Sequence, residues 1–600
     1  MSIRSSICVV WTSLALFSPA GLSASDNARL QFVTTVHQLG PVGYRDPLGV
    51  VAPSGEWLAY TSAAHLYIQR VTGGAVRELP VLSATVRHLA WLPDSRSIAV
   101  DVGEPARRWW LYDLAGGRRP LWKGRETLEG VVTDTLARIS LPLARLEQLA
   151  WSVDGKQVAG IARTANGTQL WTLDADGDHA QVTLSEASLS FPSWAPNGSL
   201  ACLASGLNRQ TISLPCGKAP LSFSAPDVYG PLAFSGDGKL IYYSTPNGNG
   251  TLDLWSAPVQ SAQTALGALE LTHFTRDTYA PSAARDGAVL FKLQDYRTSL
   301  AAVGAEGGPV TPLTTFQSET PSWDPAGKQI AFTFGTWRRV IDDLHYPDIA
   351  QDIGTISPGA STPARAPARV IVASPSEDQS LCWSPNGRWI VFHSHKDNSD
   401  DLWIQAHDGS SEPRLLTHFG RGADTGWPRW SPDGSWIVVS SYKPGESPSR
   451  HVPFLIGVDQ ETGARTLAEG EIDLRGYANE MADAEWLPDS QRIVFLGFRA
   501  PDRQELCTVA RTGGAPACFH EFRSEHCESG FGISPDGKWT AFVAPSGGYF
   551  QLFRVPVGGG RPEQITVDPS NKTQPAYSPD GRQIAFTVWT YEVQFWVLRH

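Results

Sequence analysis

The densest set of chemistry-bearing side chains is the run Trp337-Arg338-Arg339-Val340-Ile341-Asp342-Asp343-Leu344-His345-Tyr346-Pro347-Asp348. Two adjacent guanidinium groups present the planar fork that grips a carboxylate or phosphate bidentately. Asp342, Asp343 and Asp348 supply the hard carboxylate oxygens that Ca²⁺ prefers, while His345 and Tyr346 add a titratable ring and an aromatic face. We therefore expect Arg338, Arg339, Asp342, Asp343, His345, Tyr346 and Asp348 to contact a ligand. The competing reading is an internal, salt-bridged plug, because ion pairs also perform structural work. His393 and His395 are alternate residues of an extended run and so share one face of a strand, the geometry of a two-histidine metal pair. No third ligand is evident, which leaves a satisfied pair of strand histidines as the other reading. Neither a Cys-x-x-Cys nor a mixed Cys/His cluster at ligand spacing occurs, and beyond the Ca²⁺ option no cofactor is expected.

These residues sit on elements that the sequence spells out repeatedly. An aromatic or apolar residue, a small residue, Pro, Asp or Asn, and Gly precede an alternating apolar run, as in Trp430-Ser431-Pro432-Asp433-Gly434 and Tyr577-Ser578-Pro579-Asp580-Gly581. Twelve copies occur, beginning with Ala52-Pro53-Ser54-Gly55 and including variants that end in Ser, at Trp91-Leu92-Pro93-Asp94-Ser95 and Trp486-Leu487-Pro488-Asp489-Ser490. Proline fixes one turn dihedral and glycine accepts positive φ, so each copy is a tight turn. The run after it, for example Gln583-Ile584-Ala585-Phe586-Thr587-Val588, alternates with the period of a half-buried strand. A second hairpin follows in each copy, giving a four-stranded antiparallel unit whose faces need neighbours for burial. The aromatic before the turn is expected to pack between adjacent units.

From Gly55 to Gly581 the copies lie about 48 residues apart on average, close to the roughly 40–50 of known β-propeller blades. Twelve blades exceed the usual four to eight of one ring. The expected fold is therefore all-β, two tandem six-bladed β-propellers with a division near residue 305, that is 25–305 and 306–600. Each ring would begin with the fourth strand of its last blade, Leu30–Thr35 in the first and Val310–Thr315 in the second, so that closure hides the sheet edges. The final Trp596-Val597-Leu598 then reads as the third strand of the twelfth blade. Glu126–Glu147, partly at helical spacing, reads as a capping segment.

Met1–Ala24 carries a positive start at Arg4, an apolar stretch from Ile7 to Leu16 and a small-residue end at Leu22-Ser23-Ala24, the pattern of a secretory signal. This places the mature chain in the periplasm or outside the cell, with no membrane span expected. Cys202/Cys216 and Cys507/Cys518 each flank a turn, as cross-hairpin disulfides would in an oxidising compartment, or else as buried thiols. A net charge of −11, from 49 Lys and Arg against 60 Asp and Glu, excludes a generally basic protein that coats nucleic acid.

The Trp-Ser-Pro-Asp-Gly turn with its Ile-Ala-Phe-like strand, at 430–434, 533–537 and 577–586, resembles the repeat of TolB-like, WD40-like propeller proteins. His393–Ile404 is similar to that family's passage from second to third strand. The resemblance implies a propeller fold and an exported protein, without the α/β domain that precedes the TolB propeller. The repeats also resemble the propeller half of dipeptidyl-peptidase IV-like enzymes, whose Gly-x-Ser-x-Gly elbow is missing here. Two functions stay open: a non-catalytic binding or scaffold module for a peptide, protein or glycan, and a hydrolase or lyase acting on a peptide or acidic polysaccharide in a central channel.

Overall fold

The computed structural model describes residues 29–37 and 48–599 apart from short internal segments, the longest of them 336–350. The described residues form strands throughout, with brief 3-10 turns such as Leu143–Arg145 and no α-helix. Each repeat copy falls between the first and second strands of a four-stranded antiparallel arrangement.

The turn closes on itself. In Ser534-Pro535-Asp536-Gly537 the serine hydroxyl donates to Asp536 Oδ1 at 2.6 Å and accepts the Trp539 amide at 3.0 Å. Asp536 Oδ1 also accepts the Lys538 N–H at 3.1 Å, and the Gly537 N–H reaches Ser534 O at 2.8 Å. These bonds are all local, made within the turn itself. The last position sits at φ 70° in Gly537 and 75° in Gly434, where glycine pays no Cβ penalty. Ser95 and Ser490 hold that same conformation at φ 56° and 55°.

The aromatic ahead of the turn ties sheet to sheet. Trp91 Nε1 donates to Val50 O at 2.9 Å, Trp194 Nε1 to Ala150 O at 3.1 Å, Trp383 Nε1 to Ser322 O at 3.2 Å and Trp486 Nε1 to Arg429 O at 3.0 Å. Each acceptor lies on the first strand of the preceding unit, so the indole fills the inter-sheet gap and satisfies its own N–H. Between the units the second strands bury Phe392, Phe495, Phe542 and Phe586 almost completely. Burial of each such ring contributes about 1.5–3 kcal/mol.

First strands pack in order. Gly49–Val51, Val86–Trp91, Leu146–Trp151, Ser188–Trp194, Tyr229–Phe234 and Asp277–Ala283 each touch the next, and the last touches the first. The same holds from Ser318–Trp323 through Asp378–Trp383, Arg429–Trp430, Met481–Trp486 and Gly532–Ile533 to Asn571–Tyr577, which returns to Ser318–Trp323. The architecture is all-β and propeller-like.

Two long strands join these sets. Val289–Gly304 and Gln583–Arg599 run antiparallel in unbroken register, from Val289 opposite Leu598 to Gly304 opposite Gln583. One end of this ladder is flanked by Asp277–Ala283 and Arg29–His37, the other by Asn571–Tyr577 and Thr311–Pro312. Trp596, Val597 and Leu598 therefore lie between the strand that starts at Arg29 and residues 289–291. The expectation that they extend the twelfth unit is corrected: no glycine or proline interrupts 583–599, so a single strand continues from one sheet into the next.

The segment expected to be partly helical is a hairpin. Thr127–Val132 pairs with Arg138–Pro142 and, in parallel, with Ala180–Ser185, extending the third sheet to six strands. Leu128, Gly130 and Val132 are buried while Thr127, Glu129 and Val131 face out, a period of two that outweighs the partial helical spacing. Disulfides join Cys202 to Cys216 and Cys507 to Cys518 across their hairpins. Cys382 is a free, buried thiol whose pKa burial pushes up to about 12.

Candidate functional site

Arg338, Arg339, Asp342, Asp343, His345, Tyr346 and Asp348 lie outside the described residues. On either side of that segment, Gly335 and Gln351 are paired partners at the ends of the second and third strands of the seventh unit. The connection from His395 to Asp400 holds the equivalent position in the eighth unit, between Trp389–Ser394 and Asp401–Ala406.

There the structure brings together the two histidines and a partner absent from the sequence reading. The His393 and His395 rings lie 4.7 Å apart at 84°. Asp400 Oδ1 is 2.8 Å from His395 Nε2, and donor atoms of all three residues fall within 4.8 Å of one another. His393 and Asp400 are buried, and His395 is partly exposed. The neighbouring aspartate is engaged elsewhere: Asp401 Oδ1 accepts from Thr417 Oγ1 at 2.7 Å and from the Phe419 N–H at 2.6 Å. Successive residues entering a strand point to opposite sides, which divides the two carboxylates between structure and cluster.

Two further carboxyls lie close by. Asp378, paired in register with Ser394, accepts from Ser374 Oγ at 2.6 Å, and Asp352 accepts the Ser374 N–H at 3.2 Å. Burial raises both from the ordinary carboxylate value, and the charge of Asp352 adds to the rise at Asp378.

A second feature runs along the first strands of the first six units, where a cavity of about 1190 Å³ extends from Leu48 and Arg163 to Pro53, Pro93, Pro196 and Arg285. Its wall is mainly apolar, with Phe191, Trp91, Trp151, Trp194 and Tyr279. Among the described lining residues Arg87, Arg163, Arg285 and Lys292 are cationic and only Glu147 is anionic. Arg87 Nε is buried and has no hydrogen-bond partner among the described residues. Lys292 sits 4.3 Å above the Tyr279 ring and is almost fully buried.

In three units the residue three places before the aromatic ahead of the turn ties its unit to another. Gln148 Oε1 accepts the Phe191 N–H at 2.6 Å, Asp483 Oδ2 the Gly530 N–H at 2.8 Å and Gln574 Oε1 the Thr320 N–H at 3.0 Å. Phe191 and Thr320 hold positive φ of 53° and 52° there. The same offset in all three makes this a repeated tie between units, and the sequence signal for it was position relative to the turn.

Residues 127–215 match the family profile described as the lipoprotein LpqB beta-propeller domain. A curated, uncharacterized protein of Agrobacterium fabrum is 28% identical over 108 residues, 18% of this chain and 36% of that protein. The chain thus spans about a third of that relative's length. A solved structure assigned to TolB from Agrobacterium tumefaciens shares 16% identity, covers 49% of this chain and 99% of its own, and superposes with a TM-score of 0.36. TolB from Acinetobacter baumannii shares 14% identity over 70% of this chain and 82% of its own, with a TM-score of 0.33. The profile match lies within the third and fourth repeat units, and the recurring Trp-Ser-Pro-Asp-Gly turns with the sheets they open are similar to those of TolB-like β-propeller repeats.

Proposed function

We propose that the twelve units form two six-bladed propellers, dividing near residue 305 and sharing the strands 289–304 and 583–599, and that the protein is an exported, non-catalytic binding module. Support for the two rings comes from the two closed series of first-strand contacts. Support for export comes from the signal-like Met1–Ala24, which lies outside the described residues, and from a family profile described as that of a lipoprotein. Among the described residues no helix is long and apolar enough to cross a membrane.

The observation that carries the binding reading is the cation-rich axial cavity in a chain whose net charge is −11. Four cations facing one carboxylate, within aromatic walls, suit an anionic segment of peptide, protein or glycan. The segment holding Arg338, Arg339, Asp342, Asp343, His345, Tyr346 and Asp348 is our proposed rim contact, on the connection between two strands where a propeller builds its loops.

Titration of the untagged protein with acidic and neutral peptides and with acidic and neutral oligosaccharides tests this. Acidic members should bind and be recovered intact, and Arg87→Ala with Arg163→Ala should weaken them about tenfold or more. Arg338→Ala with Asp343→Ala should also weaken binding while leaving thermal unfolding nearly unchanged. Equal binding of neutral ligands would overturn the cavity reading, cleavage of the ligand would overturn the non-catalytic one, and a large stability loss in the rim double variant would establish a plug.

A further inference from the structure

We propose that His393, His395 and Asp400 form a binding site for a divalent transition-metal ion of the zinc class. The inference is independent of the axial cavity. It begins from local chain geometry: a strand ends at Ser394, with His393 inside it and His395 just beyond, and Asp400 immediately precedes the next strand. Their donor atoms already lie within 4.8 Å of one another, so side-chain rotation over a fraction of an ångström to about 1 Å brings them to zinc-ligand distances of about 2.0–2.2 Å.

The donor set selects the metal. Two imidazole nitrogens and one carboxylate suit Zn²⁺, Co²⁺ or Ni²⁺, whereas Ca²⁺ and Mg²⁺ require shells built of oxygen. One carboxylate leaves a bound dication with residual positive charge, and the carboxyl of Asp378, on the strand paired with Trp389–Ser394, lies opposite Ser394 to offset it. Lys396, the nearest cation in sequence, has its ammonium 4.8 Å above the Trp403 ring.

Asp400 is the decisive residue. Asp401 already serves the fold through Thr417 and Phe419, so a second aspartate immediately before it is not needed to anchor the strand. With three protein donors, and His395 partly exposed, a four-coordinate ion keeps one position for water or for a carboxylate brought by a ligand.

The test is calorimetric titration of the untagged, metal-stripped full-length protein with Zn²⁺, followed by Co²⁺ with its visible absorption as readout. We expect one ion per chain, a Zn²⁺-dependent rise in unfolding temperature, and an affinity loss of about tenfold or more in His395→Gln and in Asp400→Asn. Both variants are scanned for thermal unfolding without metal, so a folding defect is read separately from a binding defect. His407→Gln, at a partly exposed histidine outside the cluster, should leave binding unchanged. Absence of binding by the intact protein, or full-strength binding by the folded His395→Gln and Asp400→Asn variants, overturns the site. In that case the His395–Asp400 contact is an ion pair only.

Discussion

Trp323 Nε1 donates to Ala576 O at 3.1 Å, across 253 residues of sequence. Beside it, the Thr320 N–H is shared between Gln574 Oε1 at 3.0 Å and Thr587 Oγ1 at 3.1 Å. The bond repeats what Trp91, Trp194, Trp383 and Trp486 do between consecutive units, but here the units are the first and last of their series. In the first series, the Val51 N–H donates to Ser282 Oγ at 3.2 Å and the Arg285 N–H to Pro53 O at 2.9 Å. Both series thus end on hydrogen bonds to their own beginnings.

Replacing Trp323 by Phe keeps most of the apolar packing and deletes this one donor. The loss should be about 1 kcal/mol, the net worth of such a bond plus the cost of an under-satisfied carbonyl. A lowered urea midpoint with an unchanged slope is the expected result. A midpoint equal to that of the parent protein would mean that the closing contact adds nothing to stability.

The turn aspartates predict how the fold responds to acid. Hydrogen bonds from Ser235 and the Lys239 amide hold Asp237 down at about 2, and those from Ser534 and the Lys538 amide do the same for Asp536. Their folded pKa values lie below the unfolded ones, so the stabilisation is complete above the usual carboxylate pKa and disappears as pH falls from about 4 towards 2. Asn386 occupies the equivalent turn position with the same bonds, from Ser384 Oγ at 2.7 Å and the Arg388 N–H at 3.1 Å. Asp237→Asn with Asp536→Asn should therefore fold normally and show a shallower fall in unfolding temperature between pH 4 and pH 2. An unchanged pH slope would assign acid sensitivity to other carboxyls.

The repeat was legible because each copy is a local solution: turn, caps and strand alternation are all set within about ten residues. The indole bridges were legible in kind, since an aromatic beside a turn has nowhere to bury itself within its own unit. Asp400 escaped because its role depends on which of two adjacent aspartates the Thr417 hydroxyl claims, a contact between strands. The axial cavity escaped for a similar reason: Arg87, Arg163 and Lys292 share no local spacing and converge only when separate units pack around one axis. The hairpin at 127–142 was misread because Leu128, Val132 and Leu136 fit a helical stripe while Leu128, Gly130 and Val132 fit a strand. Pairing with Ala180–Ser185 decided between them.

The shared strands make a stronger prediction about the apparent boundary near residue 305. Each of Val289–Gly304 and Gln583–Arg599 gives half its length to the sheet beside Asp277–Ala283 and half to the sheet beside Asn571–Tyr577. A fragment of residues 25–305 would lack the neighbour of both Arg29–His37 and Val289–Gln294, leaving buried positions such as Leu290 and Phe291 against solvent. Two unpaired edges with apolar faces favour aggregation. The fragment expressed alone should be insoluble or molten, whereas co-expression with residues 306–600 should give a soluble, cooperatively unfolding complex. A 25–305 fragment that is monomeric and unfolds cooperatively by itself would show that the long ladder is dispensable, and that each half closes with its own strands.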